Sequence, residues 1–352
     1  MDENVLKNLD RHVDRRAFLR ACGVLGLGAV AGGALQSAYH VVRLGPNRLQ
    51  VERNLLRMGS FVTITAVHDS REQAEVAIDH AVAEMDRLIR ILSRHDDASP
   101  LAVLNRTGEL SNVPVELALV LGTSLEINRL SRGAFDVTVQ PVLDLFENRG
   151  ADARLPGNDA VHGALARVGS QHIRIDGMTV HLDQPGARVT LDGIAPGYIV
   201  DRMSEVLVEQ GVDSHLINVS GDIRVHGRRS DGRPWHVAVE DPEKKGHYPD
   251  TIEMCSGAVS TSGNYEIYFD REKLHCHIID PATGQSPVLD TSVSVIAGTS
   301  MWADALSTAV FVMPPQGGCN WIDALPGTEC LVIGRDGGRH RSQGWSRFDA
   351  KA

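Results

Sequence analysis

The sequence predicts an α+β fold of mostly antiparallel sheets with interspersed helices in one domain. Three observations point there. Alternating apolar and polar runs outnumber helical stripes. Several of these runs are separated by short turn sequences that join antiparallel neighbours. Helices and strands do not follow each other in the sustained βαβ rhythm of a doubly wound sheet. A chain of 352 residues could hold one large domain or two intimate ones, and it shows neither a repeat nor a long linker, so one is the economical reading. A formal net charge of −10 argues against nucleic acid or an anionic surface as the main partner. Any phosphate would have to be held locally, by metal or by backbone amides.

Residues 1–40 read as an address. Asp14-Arg15-Arg16-Ala17-Phe18-Leu19-Arg20 resembles a twin-arginine export signal, and the Gly/Ala/Leu-rich run from Ala21 to Ala34 is too short to span a bilayer comfortably. Cleavage after Ala34 and an uncleaved membrane tether both stay open, and either places the protein in the periplasm or on the outer face of the cytoplasmic membrane. Cys22 falls in this segment. Cys255, Cys276, Cys319 and Cys330 form no CxxC pair, and their disulfide state is left open.

The main domain is assigned to residues 50–347, and its globular part begins at Arg57. Phe61–His68 alternates as a strand, and Ser70 with Gln73 forms a capping box. Ala74, Ile78, Ala81, Met85, Leu88 and Leu92 trace one helical stripe. A polar loop from Ser93 runs into a short helical turn ending near Asn105, and Pro114 opens a helix that stops near Gly133. Gly133–Phe146 lacks a core pattern, because Asp136 and Thr138 interrupt it. Asp176-Gly177 turns a hairpin, and Val189–Gly211 reads as strand, glycine loop and helix. Ser220-Gly221-Asp222 kinks a strand pair. The runs around Ser260 and His277 pair across Asp270–Lys273, and Glu329–Gly334 is a last buried strand.

Chemistry concentrates between Leu274 and Met313. A strand over Thr291–Gly298 feeds a helix on which Asp304 and Thr308, four residues apart, share one face near the helix start. Ala303, Leu306, Val310 and Met313 mark its apolar face. A carboxylate with a hydroxyl offers the hard oxygens Mg²⁺ prefers. A first-turn acid favoured by the helix dipole explains Asp304 equally simply. No GxSxG elbow, P-loop or GxGxxG is present, so serine-hydrolase, Walker-type and Rossmann readings lack their signatures.

Met58-Gly59-Ser60, the Ser93–Asn105 segment, GAFDVTVQP, GIAPGYIVD, LINVSGDI, VSTSGNYE, HIIDPATG and ADALSTA stand here in the order seen in ApbE-type FAD:protein FMN transferases, which the chain resembles from Arg57 to Trp345. The resemblance implies an enzyme that binds FAD, uses Mg²⁺ at the pyrophosphate and transfers FMN to a Ser or Thr hydroxyl of a client, releasing AMP. The implied client is a membrane-associated redox protein. By motif, the metal ligands would be Asp304, Thr308 and the Gly193 carbonyl, with His277 as the candidate base beside Asp304. Met58, His95, Ala134, Phe135, Asp136, Pro196 and Ile278 would fall at flavin-nucleotide contacts.

Three departures from the family pattern bear on that site. The usual Asp-Leu-Gly-Gly-Ile-Ala-Lys-Gly reads Thr190-Leu191-Asp192-Gly193-Ile194-Ala195-Pro196-Gly197, so the acid shifts by two positions and the lysine becomes proline; an aromatic of the Ser93 loop reads His95. If 190–192 ends a strand, Thr190 and Asp192 face the same way, and Asp192 takes over the missing acid's role. The alternative is that Asp192 caps the helix near Pro196. An FAD-retaining carrier and an FAD pyrophosphatase that releases free FMN are the competing functions.

Changing Arg15 and Arg16 together to lysine is expected to leave folded, active protein in the cytoplasm, measured by fractionation. Normal periplasmic levels would overturn the signal assignment.

Overall fold

The computed structural model describes residues 39–350 apart from 46–47, 148–154, 230, 240–247, 264–275, 288–290 and 335–336. The N-terminal signal and most of the Ser260/His277 hairpin therefore lie outside the described residues.

Among the described residues, β1 (His40–Gly45) and β2 (Arg48–Arg57) already pair ahead of Arg57, the expected start of the globular part. A Met58-Gly59 loop with positive φ at both positions joins β2 to β3 (Ser60–His68), the backbone a type I′ hairpin turn requires. Ser70 caps α1 (Arg71–Leu92) by accepting from Gln73 N. Only this half of the expected capping box forms, because Ser70 N donates instead to His68 Nδ1 at 2.9 Å. The predicted stripe of α1 is buried throughout, and each large side chain on it stabilises by about 1.5–3 kcal/mol. Next come α2 (Pro100–Thr107), with Pro100 in its first turn, β4 (Glu109–Ser111) and α3 (Val115–Leu130).

The stretch after Gly133 corrects the sequence reading. It forms a 3₁₀ turn and α4 (Gln140–Glu147), and Phe135, Val137, Val139, Val142, Leu143 and Phe146 are all buried. Asp136 and Thr138 fit there because they satisfy each other: the Asp136 carboxylate accepts from Thr138 N at 2.8 Å, Ser170 N at 2.9 Å, Asn128 Nδ2 at 3.1 Å and the Thr138 hydroxyl. Polar groups inside a core are tolerated when bonded in this way. After α5 (Asn158–Leu165), β5 (Ile173–Asp176) and β6 (Thr179–Leu182) form the expected hairpin, with Gly177-Met178 as its two-residue loop.

Val189–Leu191, expected as a strand, joins no sheet. Asn105 holds Val189 instead, through its amide oxygen (2.6 Å from Val189 N) and its amide nitrogen (2.8 Å from Val189 O), while Thr190 N donates to Val137 O. The chain then enters α6 (Ala195–Glu209). The expected kink at Ser220-Gly221 is the loop of a hairpin between β7 (Ser214–Val219) and β8 (Asp222–His226), again with positive φ at both positions. β9 (Trp235–Val239) and β10 (Asp250–Met254) pair with each other. β11 (Ser256–Gly263), β12 (Thr291–Ala297), α7 (Ser300–Phe311), α8 (Pro315–Ile322), β13 (Glu329–Gly334) and β14 (Arg339–Arg341) complete the order. Met313 falls beyond the end of α7.

Nine strands make one sheet, β1-β2-β3-β7-β8-β11-β12-β13-β14, with every pairing antiparallel, as expected for the α+β class. On one face α1, α6 and α7 bury Val62, Ile64, Met85, Leu88, Met203 and Leu306. On the other, the β9–β10 hairpin and Trp345 close over Val225, Val259 and Leu331. Cys319 and Cys330 are buried free thiols, Cys276 is buried and Cys255 is half-buried.

One buried base records how tightly α6 meets the sheet. His215 on β7 is fully buried, with Nε2 2.7 Å from Ser204 Oγ on α6 and its ring stacked on His226. Burial, reinforced by His226, pushes its pKa down to about 3. An unfolded histidine titrates near ~6.5, so between these values the unfolded chain binds a proton that the folded chain refuses. Stability should therefore fall as pH drops from ~6.5 toward 3, by up to about 1.4 kcal/mol per pH unit. Denaturant melts across that window should show the slope, and His215→Asn should flatten it.

Candidate active site

The site is built where the N-terminal ends of α6 and α7 meet. Neither Ile194 nor Pro196 can cap α6, since neither has a side-chain acceptor for the unpaired N–H groups of the first turn. Asp304 of α7 supplies the acceptor, its Oδ2 taking the Gly197 N–H at 3.1 Å. In return Asp201 of α6 caps α7, Oδ1 accepting from Ser300 N at 2.8 Å and Oδ2 from Met301 N at 2.9 Å. The helices approach so closely that a Cβ on Gly197 would stand 2.4 Å from Ser300 O, and one on Gly193 would stand 2.9 Å from Thr308 Oγ1. Gly193 and Gly197, four residues apart, thus face Thr308 and Asp304, also four apart.

Asp304 lies in the second turn of α7, where Thr299 is the cap, so the first-turn dipole explanation does not apply. It is 7% exposed. From Ala303 to Phe311 every residue of α7 is buried except Thr308, which is half-buried.

Electrostatics make this a site in want of positive charge. Burial raises Asp304 well above the usual carboxylate range, and the nearby charge of Asp222 adds to it, with smaller contributions from Asp192 and Asp201. Burial raises Asp222 to about 7, and Asp201 adds to that shift. Asp201 is also raised by burial, offset by its two backbone bonds and by Arg224. Arg224 stands 3.6 Å from Asp201 and donates to Gly298 O. Among the described residues neither Asp222 nor Asp304 has an arginine or lysine partner.

The fold brings some of the predicted residues to this junction and distributes others elsewhere. Gly193 meets Thr308, and Asp304 meets Gly197, the residue after Pro196. The Thr190–Val137 bond brings the Ala134–Asp136 segment alongside, although the Phe135 and Ile278 side chains are spent on the core. Met58 sits at the β2–β3 loop, whose Ser60 bonds Ser220 at 2.7 Å, two residues from Asp222. His95 is exposed on the Ser93 loop. His277 is half-buried beside a tight turn in which Asp280 accepts from Ala282 N and the Thr283 hydroxyl.

The two readings of Asp192 both need correction. Without a strand, Thr190 and Asp192 do not share a face: Thr190 is buried and its hydroxyl accepts from Asp192 N, whereas the Asp192 side chain is 51% exposed. Nor does Asp192 cap α6, whose N-cap is Ile194. Instead Arg94 grips it at 2.8 Å while holding Glu147 through two further bonds of 2.7 and 2.8 Å. Arg94, Asn105, Asp201 and Asp222 are site-building residues that the sequence reading quoted inside motifs without assigning a role.

The ApbE family model matches residues 58–332. The chain belongs to the ApbE family. A Vibrio cholerae relative, an FAD:protein FMN transferase, is 32% identical over 268 residues, 72% of this chain and 80% of the relative. A Treponema pallidum protein of the same name is 31% identical over 343 residues, 90% of each chain. The crystal structure of the ApbE protein from Thermotoga maritima matches with a TM-score of 0.79 at 28% identity, across 86% of this chain and 100% of that one.

An ApbE chain invites a test of fit to a metal. Among the described residues no three His, Cys, Asp or Glu side chains converge. A carboxylate, a hydroxyl and a backbone carbonyl instead offer hard oxygens to a small cation, and the unbalanced Asp222 and Asp304 charges favour one there. The residues fit.

Gly197→Ala should destabilise the protein by about 1–3 kcal/mol, because its Cβ meets immovable backbone. Gly193→Ala meets only the Thr308 side chain and should cost less. Urea titrations of both variants check the order.

Proposed function

We propose that this chain is an Mg²⁺-dependent FAD:protein FMN transferase that links FMN to a Ser or Thr hydroxyl of a membrane-associated redox protein. The observation that carries this reading is the apposition of Gly193 and Gly197 on Thr308 and Asp304, within an ApbE fold. In the reaction the client oxygen bonds to the FMN phosphorus, the pyrophosphate P–O bond breaks, AMP leaves, and the client hydroxyl loses its proton. His277 is the candidate acceptor of that proton, since an imidazole titrates near neutral pH. Asp304, Thr308 and the Gly193 carbonyl would hold the Mg²⁺, which supplies charge neutralisation at the pyrophosphate oxygens. Arg94 holds the turn that carries Asp192 and Gly193 to the Ser93 loop. Export by the twin-arginine signal would put the activity in the periplasm or at the outer face of the cytoplasmic membrane.

The test is to incubate the chain with FAD, Mg²⁺ and a client domain, following AMP by chromatography and the client by mass spectrometry. AMP together with a client mass increased by FMN is expected. Free FMN with an unmodified client would make it a pyrophosphatase, and intact FAD would make it a carrier. Asp304→Asn should lower AMP release about a hundredfold or more, since even outer-shell partners of a metal site are worth 10–100-fold. Its ligand-free melting temperature should equal or exceed that of the wild type, because asparagine keeps an acceptor for Gly197 N and removes a buried charge.

A further inference from the structure

The TSG piece of the VSTSGNYE motif has no role in the reading above, yet its serine touches the site. Ser262, at the end of β11, lies 2.8 Å from Ser307 Oγ and 3.4 Å from Thr308 Oγ1. Ser307 Oγ in turn donates to the Asp304 carbonyl at 2.9 Å. These three contacts involve three hydroxyls, and each hydroxyl has one proton. Only one assignment makes all three bonds at once. The Ser307 proton goes to Asp304 O, the only acceptor in that contact that cannot donate. The Ser262 proton must then go to Ser307, and the Thr308 proton to Ser262.

One usual escape for a helical threonine is closed. Its hydroxyl ordinarily bonds the carbonyl four residues back. Here that carbonyl belongs to Asp304, which already accepts the Thr308 N–H of the helix ladder and the Ser307 hydroxyl. Both of its lone pairs are taken, and the acceptor left to Thr308 in this network is Ser262.

We infer that Ser262 is a positioning residue that draws the Thr308 proton away from the Gly193 side, so that Thr308 presents lone pairs to a hard divalent cation. The inference rests on the metal reading proposed above. It adds that the direction of one O–H bond makes the hydroxyl a ligand. A threonine with its proton turned toward Gly193 would repel a cation at the same position. The relay also ends on the backbone of Asp304, so both side-chain ligand candidates are tied to one chain of hydrogen bonds. The Thr308–Ser262 link is the longest of the three and hence the weakest, so the effect is one of affinity rather than all or none.

The experiment uses Mn²⁺ as the probe, titrated into the full chain with and without FAD and followed by electron paramagnetic resonance, with no turnover needed. Ser262→Ala should weaken Mn²⁺ binding about three- to tenfold, the factor one neutral hydrogen bond is worth. Ser262→Thr, which restores the hydroxyl, should recover most of it. In a Thr308→Val background, Ser262→Ala should add nothing, because its effect passes through Thr308. Melting curves without metal separate this from a packing role, which would lower stability and leave Mn²⁺ affinity unchanged. Unchanged affinity in Ser262→Ala, or additive losses with Thr308→Val, would overturn the inference. If Asp304→Ala also binds Mn²⁺ like the wild type, the metal reading itself falls. If Asp304→Ala loses Mn²⁺ and Ser262→Ala does not, only the relay falls.

Discussion

Two buried carboxylates each complete the helix to which the other belongs, and the site depends on that exchange. Asp201 closes the start of α7 and Asp304 the start of α6. Helix N-termini leave unpaired N–H groups with partial positive charge, so a carboxylate there gains both a hydrogen bond and a favourable dipole. The arrangement demands near contact between the helices, which is why glycines occupy 193 and 197. It also commits two acids to a dry interior. One of them, Asp201, has Arg224 nearby and two backbone bonds. Asp304 has one backbone bond and no basic partner among the described residues, and its charged form is the less comfortable. The fold thus holds Asp304 in place for structural reasons while leaving its charge unanswered.

The sheet brings the remaining groups to the same end. Side chains alternate across a strand, so Asp222, Ser260 and Ser262 all fall on the helix-facing side of β8 and β11. The two loops with positive φ, Met58-Gly59 and Ser220-Gly221, fold the strands back at this end and are joined by the Ser60–Ser220 bond. The hydroxyl ladder of β11 therefore ends under Thr308 because of register. A slip of one residue would point Ser262 at the opposite core, where Val259 and Trp345 pack.

This explains what could be read from the sequence. Periodicity over many residues gave α1, α7 and most strands, since each buries a stripe or a face whatever the far partner is. Two segments failed for one reason. Val189–Leu191 has strand-like residues, but its backbone bonds go to Asn105, 84 residues away, and to Val137. Gly133–Phe146 has polar residues that look like interruptions until Ser170 and Asn128 arrive to satisfy Asp136. In both cases a long-range polar partner reversed the local preference. The reciprocal caps were illegible for the same reason: Asp201 and Ser300 are 99 residues apart. Motif order singled out Gly193, Asp304 and Thr308, which lie at one helix junction, while the roles of Asp201, Asp222 and Arg94 needed coordinates.

The altered turn before α6 makes sense as an exchange of charge. Relative to the family pattern that the chain resembles, threonine at 190 removes a carboxylate and proline at 196 removes a cation, so one charge of each sign is missing. Asp192 then introduces a carboxylate two residues on, and Arg94 meets it at 2.8 Å. The local balance is kept, and the Arg94–Asp192 pair sits at the half-open rim, while Thr190 is buried. Exposed pairs are worth little in isolation. This one gains from Glu147, which holds the same guanidinium through two bonds and keeps it oriented. The consequence is mechanical as well as electrostatic: Arg94 links the Ser93 loop, the end of α4 and the turn bearing Gly193. Because Asp192 still adds to the negative field at Asp304, loosening this latch would alter both where the Gly193 backbone lies and how strongly the buried carboxylates call for a cation.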